Sequence, residues 1–123
     1  MWYNMAMKIL IDADGCPVVD LTLQAAAEHG LEAILFCDTS HEFKEKNARV
    51  ITVDKGSDSA DFALIRQVKP GDIVVTQDYG LAAMVLAKRG YPITQNGKRL
   101  TDANIDTLLL TRHAAKKARR GGY

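Results

Sequence analysis

Four short apolar runs limit what this chain can fold into: Ile9-Leu10-Ile11, Ala33-Ile34-Leu35-Phe36-Cys37, Val50-Ile51-Thr52-Val53 and Ile73-Val74-Val75. A strand that is apolar at nearly every position has no solvent face, so it belongs in a sheet covered on both sides. Between the runs, apolar residues fall at helical spacing: Val18, Leu21, Thr22, Ala25 and Ala26 in one segment, Ala60, Leu64, Ile65 and Val68 in the next, Leu81, Met84 and Val85 in a third. Pro17 suits a first helical turn, Gly30 and Gly90 suit helix ends, and Lys69-Pro70-Gly71-Asp72 breaks the second helix. Strands that alternate with helices build a parallel sheet through right-handed crossovers.

Pro92-Ile93-Thr94 adds a short edge strand, and Asn96-Gly97 a turn after it. Thr101 caps a last helix in which Ile105, Leu108 and Leu109 pack inward. Asp38 to Ala48 has no apolar period and reads as a surface loop. The expected product is an α/β fold, a three-layer α/β/α sandwich with a mainly parallel sheet of about five strands. At 123 residues it is one domain. Residues 7–123 form that domain, and residues 1–6 read as an N-terminal extension, with Met7 as a second candidate start.

Sixteen basic and fifteen acidic residues leave a net charge of +1, so bulk charge selects no partner. The basic residues are unevenly spread: Arg112, Lys116, Lys117, Arg119 and Arg120 crowd the last helix. Such a run is either a solvated helix end favoured by the macrodipole or a phosphate-binding strip. Cys16 and Cys37 make neither a CxxC pair nor a zinc spacing, which suits reduced thiols in a cytoplasmic protein. No apolar run approaches the roughly 20 residues that span a bilayer, and the first residues lack a signal peptide's basic and apolar regions. The expectation is a soluble cytoplasmic protein without a membrane partner.

The acids mark the address for chemistry. Asp12 and Asp14 follow the first strand directly, Asp78 follows the fourth within Thr76-Gln77-Asp78, and Asp58 and Asp61 open the helix after the third. Parallel strands end on one side, where open α/β sheets bind ligands, so these carboxylates are expected to converge there. Carboxylates brought that close stay ionised together only around a cation. An oxygen-only ligand set suits Mg²⁺ or Mn²⁺, which can polarise a phosphodiester and activate water. Asp12, Asp78 and Asp61 are the candidate catalytic residues. Asp12, Asp14, Asp58, Asp61 and Asp78 are the candidate metal ligands, with Lys55, Ser57, Thr76 and the basic helix as phosphate or nucleic-acid contacts.

Structural roles compete at several of these positions. Asp58 is as well placed for a helix cap as for a ligand, and Asp14 can hold its turn by an Asx-type bond. Asp72 precedes its strand and belongs to the opposite edge. Cys16 reads as a packed small residue.

Four ordered motifs, Asp12-Ala13-Asp14-Gly15-Cys16-Pro17, Lys55-Gly56-Ser57-Asp58-Ser59-Ala60-Asp61, Gly71 to Ala82 and Thr101 to Asp106, resemble those of the bacterial YaiI/YqxD family. The resemblance runs from Met7 to Arg120. It implies a PIN-like domain, similar to metal-dependent nucleases that place an Asp after the first strand, an acid on a later helix and a Thr-x-Asp after the fourth strand. By that likeness the roles fall on Asp12, on Asp61 or Asp58, and on Asp78, with Asp14 added. The implied partner is nucleic acid, single-stranded RNA before DNA, and a homo-oligomer stays open. Family members usually continue beyond the basic stretch.

Two other readings fit the same residues. Asp12-Ala13-Asp14-Gly15 matches the opening motif of haloacid-dehalogenase-like phosphatases, with Asp12 as nucleophile and Asp14 as acid/base. Such an enzyme also needs a Lys, for which Lys55 is available, and a second acidic motif at the same edge. A non-catalytic PIN-like module that binds RNA or protein is the other alternative.

Overall fold

The computed structural model describes residues 7–14, 16–38, 48–53 and 59–120, with backbone alone at 59 and 112–120. The chain runs β1 (Lys8–Asp12), α1 (Val19–Glu28), β2 (Glu32–Asp38), β3 (Arg49–Val53), α2 (Ser59–Gln67), β4 (Ile73–Val75), α3 (Tyr79–Ala87), β5 (Tyr91–Ile93) and α4 (Asp102–Arg120). All five strands are parallel, in the order β3-β2-β1-β4-β5. The expected α/β sandwich is therefore the observed one. Lys55, Ser57 and Asp58 lie outside the described residues, as do positions 39–47 of the expected loop.

The strand order explains the layers. The chain moves outward from β1 through β2 to β3, then crosses back to lay β4 on the other side of β1. Right-handed crossovers in opposite directions put their helices on opposite faces. Accordingly α1 covers one face, packing Val19 and Ala26 onto Ile9, Ile11, Leu35 and Cys37. On the other face α2 and α3 bury Leu64, Val68, Leu81 and Val85 against Leu10, Ile34, Phe36 and Val74. Alternate strand residues feed the two clusters, as the pleat requires.

α4 adds to the second face by packing on α3, with Ala82, Leu100 and Ile105 buried between them and Leu108 and Leu109 at the margin. Its start is a reciprocal cap: the Thr101 carbonyl accepts from the Ile105 N–H, while Asn104 Oδ1 accepts from the Thr101 N–H at 2.9 Å. Because α3 is covered by the sheet on one side and by α4 on the other, Ala82 is buried where Met84 was expected, and Met84 is exposed. Leu21 likewise faces outward, because α1 leaves the β4–β5 half of its face open. Ala63, rather than Ala60, joins the buried face of α2.

Gly90 ends α3 as expected, but for space and not for a left-handed turn. The left-handed residue is Arg89 (φ 65°), whereas a Cβ at Gly90 would stand 2.7 Å from Val85 Cγ1 and 3.2 Å from the Asp72 carbonyl.

Asp72 anchors the N-terminal edge of the sheet. It is 1 % exposed, pairs with the Lys8 ammonium, and accepts from the backbone N–H groups of Lys8 (3.2 Å) and Lys69 (2.9 Å). Removing one partner of such a buried pair strands the other. Asp72→Asn should lower unfolding free energy by about 2–4 kcal/mol, read as a reduced urea midpoint at unchanged m-value.

Candidate functional site

The winding of the sheet reverses between β1 and β4, which leaves a crevice at its C-terminal edge. Register fixes what faces it. Ile11 pairs with Val75 and Val75 with Ile93, so the next residues, Asp12, Thr76 and Thr94, end three adjacent strands side by side. The Thr76 N–H donates to the Ile93 carbonyl at 3.0 Å and the Ala13 N–H to the Phe36 carbonyl at 2.9 Å, which carries the ladder one step past the strands.

The resulting cleft holds about 80 Å³ and is lined by Asp12, Asp14 and Cys16 on one side and by Val75, Thr76, Gln77 and Gln95 on the other. That is room for a few waters or one phosphate group, far less than a drug-sized ligand needs.

Asp12 is the centre of the cleft. The Thr76 hydroxyl donates to its Oδ2 at 2.9 Å, and the same hydroxyl oxygen accepts from the Asp78 N–H at 3.0 Å. Burial pushes the Asp12 carboxyl above the ordinary aspartate value. The Thr76 hydrogen bond works against that rise, and the nearby Asp78 and Asp14 charges add to it. Asp14 accepts from the Asp38 N–H at 2.9 Å through Oδ2. Asp14 thereby ties its turn across to the end of β2.

Asp78 does not line the cleft; its side chain caps α3. Its Oδ1 accepts from the N–H groups of Gly80 (2.9 Å) and Leu81 (3.1 Å). Asp61 sits in the first turn of α2 and is also absent from the cleft wall. Of the basic helix, the backbone of Arg112, Lys116, Lys117, Arg119 and Arg120 belongs to α4, and their side chains are outside the description. The structure thus brings Asp12, Asp14 and Thr76 together and sets Asp78 beside them as a cap, while Asp61, in the first turn of α2, is not among the residues that line the cleft.

Two residues were missed in the sequence. Gln77 Oε1 accepts from the Gln95 N–H at 2.8 Å, joining the loop after β4 to the one after β5. Both follow strands at the cleft edge, and that position was their available signal.

Among the described residues no group of three or more His, Cys, Asp or Glu side chains is placed to hold a metal ion. The pair Asp12 and Asp14 still suits a hard cation by donor type, since Mg²⁺ is commonly held by one or two carboxylates plus waters and substrate phosphate. Burial is the main cause of the raised Asp12 carboxyl, and the repulsion from Asp78 and Asp14 that adds to it is what such an ion would relieve.

A family model described as the uncharacterized YaiI/YqxD family matches residues 10–123. The chain belongs to the YaiI/YqxD family. A UPF0178 protein of Exiguobacterium sibiricum is 55% identical over 116 residues, 94% of this chain and 79% of that protein. A UPF0178 protein of Ruminiclostridium cellulolyticum is 53% identical over 94% of this chain and 76% of its own length. One from Lachnoclostridium phytofermentans is 50% identical over 94% and 78%. No solved structure matches the chain with significance. Among the described residues no helix is long and apolar enough to cross a membrane.

Two measurements separate the roles of these acids in the YaiI/YqxD chain. The folded state holds the Asp12 proton more tightly than the unfolded chain, so the stability it contributes is full below the unfolded value and lost as pH rises through the raised folded one. In metal-free buffer, Asp12→Asn should therefore melt higher than the wild type at pH 7, and the gap should close as pH falls toward 4. At the α3 cap, Asp78→Ala should cost about 1 kcal/mol in denaturant unfolding while Asp78→Ser, which keeps an acceptor, stays within about 0.5 kcal/mol.

Proposed function

We propose that the cleft hydrolyses phosphodiester bonds with the help of Mg²⁺ or Mn²⁺, on nucleic acid and on single-stranded RNA before DNA. The observation that carries this reading is Asp12. It is a partly buried carboxylate at the switch point of a parallel sheet, hydrogen-bonded by Thr76 and raised in pKa beside a second carboxylate two residues on. A carboxyl raised by burial and by neighbouring carboxylates gains from a cation set against it, which marks it as a position for a metal ligand. The small volume of the cleft suits a phosphate group.

Asp12 and Asp14 would hold the cation, which when bound supplies charge to offset that developing on the phosphate. Thr76 fixes the Asp12 carboxylate plane and leaves its other oxygen open, so that Asp12 would orient the attacking water through the cation it helps to hold. Asp78 positions Thr76 through its backbone N–H and keeps the α3 N-terminus in register beside the cleft. The α4 basic residues Arg112, Lys116, Lys117, Arg119 and Arg120 would hold flanking phosphates, with Lys55 and Ser57 on the β3–α2 connection in the same role. Asp58 and Asp61 complete the proposed acidic set. The likeness of the motifs to PIN-like nucleases supports the same assignment.

The phosphatase reading has less behind it. Its second acidic motif has no occupant at this edge in Gly71-Asp72, because Asp72 is committed to Lys8 at the opposite edge.

The test is cleavage of a fluorogenic single-stranded RNA. Turnover should require Mn²⁺ or Mg²⁺, stop with EDTA, and fall by roughly 100-fold or more in Asp12→Asn. Full turnover by an Asp12→Asn, Asp78→Asn double variant sinks the proposal. Phosphate release from p-nitrophenyl phosphate would favour the phosphatase instead, and strand binding without cleavage a non-catalytic module.

A further inference from the structure

Half of one sheet face lacks a covering layer. Parallel sheets are normally buried on both sides, yet α1 packs onto β1 and β2 and leaves the β4–β5 half open. An apolar groove of about 260 Å³ lies there, floored by Ile73, Val75 and Ile93 and edged by Leu21, which is 66 % exposed. Nearer the N-terminal edge, Met7 and Tyr91 border a second depression of about 380 Å³ and are 42 % and 48 % exposed. Large apolar side chains gathered on one face mark a surface for a partner.

Charge says which partner. Helix α1 carries Asp20 and Glu28 and no Lys or Arg, while the stretch from Tyr91 to Leu100 carries Lys98 and Arg99 and no acid. The open half is thus bordered by an acidic wall on one side and a basic wall on the other.

The two walls also match in height. Glu28 ends α1 just before β2, whose first residue Glu32 pairs with Lys8 at the N-terminal edge of the sheet. Tyr91 opens β5 beside Ile73 at that same edge, and the Arg99 guanidinium stacks 5.5 Å from its ring centre. Among the described residues neither Glu28 nor Arg99 makes an ion pair.

We propose that a second copy of this chain covers the open half of the sheet, in a homodimer whose twofold axis runs parallel to the strands. Such an axis exchanges the acidic and basic walls and keeps their height, so Glu28 of each copy faces Arg99 of the partner subunit. Leu21 of each copy then stands over β5 of the other, and the apolar centre is shut off from water between two rims of opposite charge. An axis of this direction preserves strand direction, so both Asp12 clefts open at the same end of the dimer. The proposal is independent of the phosphodiester reading.

Sedimentation equilibrium of the full chain, from about 1 mM down to about 1 μM, is the test. The wild type should pass from twice the mass of one chain to a single mass on dilution. Leu21→Arg and Tyr91→Glu, each at an exposed position and checked by a thermal melt, should each raise the dimer Kd by about 30-fold or more. Arg99→Glu should raise it by about 10-fold, and the Glu28→Arg, Arg99→Glu double variant should regain most of that loss.

A wild type that stays monomeric throughout overturns the proposal and leaves the groove to residues 1–6 or to a different protein. A dimer untouched by both Leu21→Arg and Tyr91→Glu overturns it by placing the interface elsewhere. A double variant no tighter than Arg99→Glu alone overturns the twofold arrangement.

Discussion

The pairing of β1 with β4 is the constraint on which everything else in this molecule depends. Both strands are apolar on both faces, so neither can slip by one residue without driving Ile9, Ile11 or Val75 into the wrong layer. That register is also what aligns Asp12 with Thr76. The same pair marks the change in winding direction, which opens the sheet edge where a ligand can enter. Core packing and site geometry are therefore set by one alignment, and a mutation that loosens the first would blur the second.

Thr76 couples the two functions in a single hydroxyl. It donates a hydrogen bond to Asp12 and accepts one from the Asp78 N–H, while Asp78 turns its own carboxylate to the first N–H groups of α3. The helix start, the strand end and Asp12 are thereby held in one short chain of bonds. Asp78 therefore acts on Asp12 without lining the cleft: its charge adds to the burial that raises the Asp12 carboxyl, and its backbone N–H holds the hydroxyl that bonds it.

The architecture was legible because it rests on patterns local to each segment. Runs such as Ile9-Leu10-Ile11 and Ile73-Val74-Val75 announce buried strands, and the helical spacing between them leaves few ways to wind the sheet. What depended on tertiary neighbours was read less well. Met84 and Leu21 are apolar at core spacing yet exposed, because α4 buries Ala82 on α3 while no described helix covers the β4–β5 half of the sheet beyond α1. The convergence of Asp12, Asp14 and Thr76 follows from strand direction and so was foreseeable. The capping by Asp78, the bond from Asp38 to Asp14 and the bond from Gln95 to Gln77 were not, since each needs a partner or an orientation that the linear order does not contain.

The two ends of the sheet give opposite treatments to the same side chain, and the contrast separates structural from functional acids. Asp72 is almost fully buried, but a lysine ammonium and two backbone N–H groups surround its oxygens, so its charge is met in full by the protein. Asp12 is less buried and far less provided for: among the described residues one hydroxyl donates to it, and the nearest charges are two further carboxylates. A carboxylate so placed gains from any positive charge brought to it. A proton can supply it at low pH, and a cation or the donor groups of a bound ligand at neutral pH. The electrostatic deficit at Asp12, more than the number of aspartates nearby, is what marks the C-terminal edge as the candidate site.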